Sequence, residues 1–110
     1  DHIGLVSGRD VDKFASLGLT AARAEHVDAP FIEEFPVIIE CRLLQTIEIG
    51  LHTQFIGEIM DIKADESVLD EKGHPDAEKV RPVIFSPGTR AYHGLGAFLG
   101  KAFSIGKEKK

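Results

Sequence analysis

Cysteine is almost absent from this chain. Cys41 is the only one in 110 residues, which excludes an intrachain disulfide and a cysteine-based metal site. Tryptophan is missing, and Met60 is the single methionine. No apolar run reaches the roughly 18 residues that a membrane-spanning helix needs, and no signal-peptide pattern is present. Positive charge is scarce. Thirteen Lys and Arg face 18 Asp and Glu, a net charge of −5, which argues against a general binder of nucleic acid or of anionic membranes. Five histidines occur, but neither His-x-x-x-His nor His-Glu-x-x-His does, so no metal site is expected. There is no Gly-x-Ser-x-Gly elbow and no defensible Ser-His-Asp order. Gly94-Leu95-Gly96 lacks both the third glycine and the βαβ setting of a dinucleotide fingerprint. Repeats and low-complexity segments are absent. The cytoplasm is the expected compartment.

What is present is one long patterned stretch, Val37 to Asp65. Val37, Ile39, Cys41, Leu43, Ile47 and Ile49 are apolar at odd positions, and Glu40, Arg42, Thr46 and Glu48 are polar at even ones. Ile38, Leu44 and Gln45 break the pattern. Period-two alternation of this length predicts a long, half-buried strand. A second strand starts in phase at Phe55 and Ile59, then slips at Met60, Ile62 and Ala64. A one-residue phase change is what a β-bulge produces, and bulges bend sheets toward barrel closure. The prediction is therefore an antiparallel pair joined at Gly50-Leu51-His52, with a bulge near Ile59-Met60. Cys41 falls on the apolar phase and is expected to be a buried thiol.

Around this pair the elements are shorter. Ile3, Leu5 and Val6 read as the end of a strand. Ser7-Gly8-Arg9-Asp10 has the form of a capping box. Val11, Phe14 and Ala15 follow at helical spacing and Gly18 is a stop, which predicts a helix from Ser7 to Leu17. Leu19 to Pro36 reads as an extended connection, with Glu33 and Glu34 on a solvated loop. Glu71-Lys72-Gly73 is a turn. Pro75 or Asp76 opens a single helical turn to Val80. Val83-Ile84-Phe85 is a short strand ended by Pro87-Gly88. Leu95, Phe98, Leu99 and Ala102 suit one or two helical turns, weakened by their glycines. Lys107 to Lys110 is a charged tail. The chain carries no Met at its start, and its first residues read as part of an element already under way. It is thus expected to be one portion of a domain, its N-terminal part lying outside this sequence.

Two places attract a functional reading. His52, at the joint of the two longest strands, stands either as a hydrogen-bonding or proton-transfer group at a barrel mouth or as a surface turn histidine. Ser7, Gly8 and Arg9 open the predicted helix, where a hydroxyl, an Arg and a helix start together suit an anion such as a phosphate. The plainer alternative is a capped surface helix. By themselves the residues lead to a strand-rich, barrel-like domain with a candidate site near His52.

A resemblance takes the reading further. Ser7-Gly8-Arg9-Asp10-Val11-Asp12-Lys13-Phe14, Glu40-Cys41, Gly50-Leu51-His52-Thr53-Gln54-Phe55-Ile56-Gly57-Glu58 and Leu99-Gly100-Lys101-Ala102-Phe103-Ser104-Ile105-Gly106-Lys107 occur in order along the chain. In these the chain resembles the flavin reductase-like, FMN-binding split-barrel family, and within it the flavoredoxin branch. The match runs over essentially the whole sequence. The family's Gly-Asp-His motif, followed by a strand with a Gly, is matched by Gly50, His52 and Gly57. Leu51 stands in place of the Asp. That departure weighs against direct NAD(P)H use and fits electron-transfer flavoproteins as well as reductases.

The resemblance implies a mainly β fold, a partial Greek-key split β-barrel of the FMN-binding type with short helices. It makes residues 1–110 the C-terminal portion of one such domain. It implies FMN as cofactor, with NAD(P)H or a protein as electron donor, and a homodimer with the flavin near the subunit interface. It makes Ser7, Arg9, Gly50 and His52 the candidate cofactor-binding residues and His52 the candidate catalytic one. A redox partner protein is expected; nucleic acid and membrane are not. The rival expectation is a non-enzymatic β-barrel fragment that serves as a dimerisation or binding module without flavin.

Overall fold

The computed structural model describes residues 1–107. The expected tail at Lys107 to Lys110 lies outside the described residues beyond Lys107. Three helices, six strands and one 3-10 turn follow in the order α1 (His2–Leu5), α2 (Lys13–Leu17), β1 (Ala21–Arg23), β2 (Pro30–Ile32), β3 (Val37–Ile49), β4 (His52–Ala64), the 3-10 turn Glu66–Val68, α3 (Ala77–Val80), β5 (Val83–Ser86) and β6 (Ala91–Gly94). The strands form three separate antiparallel pairs, β1-β2, β3-β4 and β5-β6. No barrel closes among the described residues. The architecture is mainly β, as expected for part of a split barrel.

The β3-β4 hairpin dominates, with thirteen residues in each strand. Val37 pairs with Ala64 at the base and Ile49 with His52 at the tip. Gly50 takes φ 57°, as a two-residue primed hairpin turn with glycine at its first central position requires. The register shifts twice. Glu40 pairs with Asp61 and Cys41 with Ile59, which leaves Met60 as the extra residue, at the place the phase slip predicts. A second shift lies between Leu43 and Gln45, where Leu44 is extra. Directly paired residues share a face. One face therefore carries Val37, Ile39, Cys41, Leu43, Phe55, Ile59 and Ile62. The other carries Glu40, Arg42, Glu58, Asp61 and Lys63 near the base, then Ile47, Ile49, Ile56 and His52 near the tip. The bulges thus move the apolar residues from one face to the other along the hairpin.

The flanking elements differ from expectation in several places. Ile3 and Leu5 belong to a helical turn, not to a strand end. Gly4 N–H bonds the carbonyl of Asp1 at 2.9 Å, a local solution that needs no neighbouring strand. The second helix starts at Lys13 and not at Ser7. Asp12 is its cap, accepting from the N–H of Ala15 at 3.1 Å, while Ser7 Oγ accepts only from Arg9 N–H at 3.2 Å. Gly18 does end it, at φ 64°, with Gly18 N–H on Ala15 and Leu19 N–H on Phe14 in the Schellman pattern. The connection from Leu19 to Pro36 contains β1 and β2, paired Ala21 to Ile32 and Arg23 to Pro30. Pro30 sits at the first residue of its strand, where a missing N–H is tolerated. Glu34 is no idle loop acid: its carboxylate accepts from Thr20 N–H at 2.9 and 3.0 Å.

Past the long hairpin, Asp70 Oδ1 accepts from Lys72 and His74 N–H, each at 2.8 Å, and closes the expected turn. Asp76 caps α3 through Glu78 N–H at 2.8 Å. Tyr92 lies in β6, with its ring 5.3 Å from that of Phe85 on β5. Its hydroxyl bonds Asp1 Oδ1 at 3.0 Å and ties β6 to the segment before α1. The expected helical turns at Leu95 to Ala102 do not form. Residues 95–100 are irregular, because glycines at 94, 96 and 100 make a helix costly there.

Burial is sparse. Among the described residues, Ala24 and Val68 are the buried apolar ones and Glu40 the buried charged one. Ile39, Leu43, Phe55, Ile59 and Ile62 on the apolar hairpin face are each more than half exposed. Cys41 is likewise exposed, contrary to expectation. The alternation puts it on the apolar face correctly, but no described element packs over that face.

Candidate functional site

The four sequence-derived candidates occupy two places. Gly50 and His52 form the tip of the β3-β4 hairpin. His52 is exposed there, opposite Ile49, with Leu51 beside it fully exposed. Its backbone is fixed by the ladder, while its ring makes no hydrogen bond or ion pair among the described residues. Ser7 and Arg9 lie in the turn before α2. Asp10 and Val11 N–H both bond the carbonyl of Ser7 at 3.1 Å, so the turn is rigidly closed. The Arg9 guanidinium is exposed and makes no ion pair among the described residues. Asp12, not Ser7, occupies the helix start, and α2 has only five residues. The helix therefore adds nothing for an anion, and the guanidinium with the Ser7 hydroxyl is what that place offers. No hydrogen bond or ion pair among the described residues joins Ser7 or Arg9 to Gly50 or His52.

A third place went unnoticed in the sequence. Glu40 lies on the polar face of β3 with its side chain 1 % exposed. Its Oε2 accepts from the N–H of His26 at 2.8 Å, and its Oε1 from the N–H of Glu25 at 3.3 Å. Lys63 Nζ reaches the same Oε1 at 3.0 Å. Lys63 also lies 2.5 Å from Asp61 and 3.8 Å from Glu25, and His26 Nε2 lies 3.6 Å from Asp61. Burial works against the charge on Glu40, but His26 N–H, Lys63 and Glu25 N–H outweigh it and hold its carboxyl below the usual range. The Lys63 bond holds Asp61 low against its partial burial. Asp61 and then Glu40 hold the Lys63 ammonium above its ordinary value. The register carried a signal for this. Glu40 and Asp61 are paired like charges, an arrangement that needs a cation close by.

Two clefts flank the cluster. One of about 190 Å³ lies at the hairpin base between Phe31, Phe35, Ile38 and Lys63. Another of about 390 Å³ lies between His26–Ala29 and Cys41–Leu43. Ser7, Arg9, Gly50 and His52 line neither.

Residues 1–94 match the model of the flavin reductase like domain. The chain belongs to the flavin reductase like domain family. Among solved structures it is similar to flavoredoxin of Desulfovibrio vulgaris (Miyazaki F), at 59% identity and a TM-score of 0.89, over 97% of this chain and 57% of that one. Flavoredoxin from Methanosarcina acetivorans is similar at 34% identity and a TM-score of 0.86, over 97% of this chain and 56% of that one. An uncharacterized protein of Archaeoglobus fulgidus is 36% identical over 73 residues, which are 66% of this chain and 40% of that protein. One of Aquifex aeolicus is 36% identical over 75 residues, 67% of this chain and 38% of that protein. The chain thus spans about two fifths of these relatives and a little over half of each flavoredoxin. Every candidate residue of this flavin reductase like chain falls within the matched residues 1–94. Its flavoredoxin branch, expected from the sequence, agrees with both structures. No helix among the described residues is long and apolar enough to cross a membrane.

Proposed function

We propose that this chain works as one portion of an FMN-dependent redox protein, a flavin reductase or a flavoredoxin-like electron carrier. The observation that carries the reading is the 59% identity to a flavoredoxin over 97% of the chain at a TM-score of 0.89. Bound FMN supplies hydride or electron transfer, and the protein supplies position and electrostatics. In this reading Arg9 and Ser7 hold the flavin phosphate, a role that an exposed guanidinium two residues from a hydroxyl in one turn suits. Gly50 would keep the hairpin tip slim, and His52 would hydrogen-bond and orient the flavin ring. These groups fit a flavin in kind. They stand in two places on an open chain, so the site is complete only against further protein surface. A homodimer, with flavin near the interface, supplies such surface. The electron donor is NAD(P)H or a protein, and Leu51 in place of the family's Asp fits either. A cytoplasmic setting with a redox partner protein belongs to the same reading.

The test is reconstitution of the full-length protein with FMN, followed by absorption and fluorescence quenching. Saturable binding, weakened in Arg9→Ala, supports the proposal. Anaerobic bleaching with NADH and NADPH then separates a reductase from a carrier reduced by protein. The second reading, a dimerisation or binding module without flavin, is favoured by the exposed apolar face of β3-β4. A colourless protein that FMN does not reconstitute supports it.

A further inference from the structure

The loop from Ala24 to Ala29 lies over the polar face of the long hairpin and is held there in an unusual way. Its own closure is a single backbone bond, Ala24 N–H to Ala29 carbonyl at 3.1 Å. Its hydrogen bonds to the hairpin among the described residues go to one carboxylate, beside ion pairs of Glu25 with Lys63 and of His26 with Asp61. Two successive backbone N–H groups, of Glu25 and His26, converge on the two oxygens of Glu40, and the Lys63 ammonium completes the grip. Successive N–H groups aimed at one point form an anion-binding concavity, and a cation beside them strengthens it. Glu40 is all but inaccessible, so the anion is enclosed.

We propose that Glu25 N–H, His26 N–H and Lys63 Nζ form a carboxylate-binding site whose resident ligand is the side chain of Glu40. Binding of that ligand closes the 24–29 loop onto the hairpin. The loop is one wall of the cleft of about 390 Å³ against Cys41, Arg42 and Leu43, so occupancy of the site sets how far that cleft opens. The surrounding charges oppose any looser arrangement. Without Glu40, Lys63 keeps Asp61 and Glu25 as partners and His26 keeps Asp61, but the two N–H groups lose their acceptor and the loop is left with these longer, more exposed ion pairs. Removing the side chain leaves a hole with the size and polarity of a small carboxylate. The site needs no flavin, and its test does not depend on the function proposed above.

The experiment is amide hydrogen exchange, read by NMR on the full-length protein, in wild type, Glu40→Ala and Glu40→Gln, with formate as the probe. In Glu40→Ala the amides of Glu25 and His26 are expected to exchange roughly tenfold faster or more, while ladder amides of β3 and β4 stay protected. Formate then restores slow exchange at those two amides in a saturable way, and chloride at equal ionic strength does not. Glu40→Gln fills the hole with a neutral amide. It is expected to exchange faster than wild type and to ignore formate. Unchanged exchange in Glu40→Ala, or fast exchange that formate leaves untouched, overturns the proposal. Should Glu40→Ala fail to fold, Glu40→Gln decides: faster Glu25 and His26 exchange with an intact ladder supports the site, and wild-type exchange overturns it.

Discussion

Gly57 sits against Cys41: a Cβ added to Gly57 would lie 3.1 Å from the Cβ of Cys41. The two share the apolar face of the hairpin as diagonal neighbours, Gly57 pairing with Leu43 and Cys41 with Ile59. Valine is ordinarily a better strand residue than glycine. Here the contact opposes that preference, because the neighbour must yield by a few tenths of an ångström. Gly57→Ala is expected to cost about 1 kcal/mol of hairpin stability and Gly57→Val about 2 kcal/mol. Cys41→Gly should recover roughly half of either loss, since it removes the opposing atom. Urea unfolding of the full-length protein checks this, and a stabilising Gly57→Val would refute the contact.

Stability should be flat in mid-range pH and fall at both ends, for reasons that the Glu40 cluster supplies. The carboxyls of Glu40 and Asp61 are held below their ordinary 4.5 and 3.8. Groups lowered in the folded state stabilise above their unfolded values, and this is lost as pH falls through the folded ones. Lys63 is held above its ordinary 10.5. Its contribution is complete below that value and is lost as pH rises through the raised one. Melting temperature should therefore drop below about pH 4.5 and again above about pH 10.5. Lys63→Gln should abolish the alkaline loss and shift the acid loss to higher pH. Thermal melts followed by circular dichroism across that range give the comparison.

The long hairpin was legible because it satisfies local rules over many residues. Thirteen-residue strands show their period, and Met60 shows where the phase slips. Leu44 was visible as a break but not as a bulge, since one misplaced residue is not yet a pattern. β1 and β2 have three residues each, too few to show any period, and Pro30 argues against a strand. Ser7 and Asp12 both offer a cap within reach of Val11 and Phe14. The structure takes Asp12, whose carboxylate meets Ala15 N–H. Glu40 was read correctly as polar. Its burial comes from Glu25 and His26, about fifteen residues earlier, and no periodicity reports such a contact. Cys41 was placed on the right face, but whether a face is covered depends on what packs over it.

Self-association is expected of the chain. Leu43, Phe55 and Ile59 on one face are 59%, 67% and 58% exposed, and Leu51 at the tip is fully exposed. Each sheet has two strands and so leaves ladder edges open, and open edges recruit other chains. Replacing Phe55 and Ile59 by Lys puts charges on the apolar face and leaves the polar cluster alone. The double variant should weaken association by roughly tenfold or more. Analytical ultracentrifugation over a concentration series decides it. A wild-type chain that is folded and monomeric throughout would remove the basis for the dimer.

His52 is the residue on which the flavin reading is most exposed to failure. Its backbone is held by pairing with Ile49, so replacing the ring should not disturb the hairpin. A neutral imidazole donates one hydrogen bond and accepts another, which suits it to orient a ring and not to do covalent chemistry. Leu51 next to it is apolar and fully exposed, so the tip sets one polar group beside an apolar side chain. In the full-length protein, His52→Ala should slow flavin reduction or weaken nicotinamide binding by the worth of one positioning contact. That is on the order of 1–2 kcal/mol, about five- to thirty-fold in the affected step. Stopped-flow bleaching of the flavin, with its dependence on nicotinamide concentration, measures both quantities. His52→Gln keeps a donor and an acceptor and should recover part of the loss, which a purely structural role would not predict. Equal rates and equal nicotinamide dependence in wild type and His52→Ala would make His52 a turn residue and move the flavin-orienting group elsewhere.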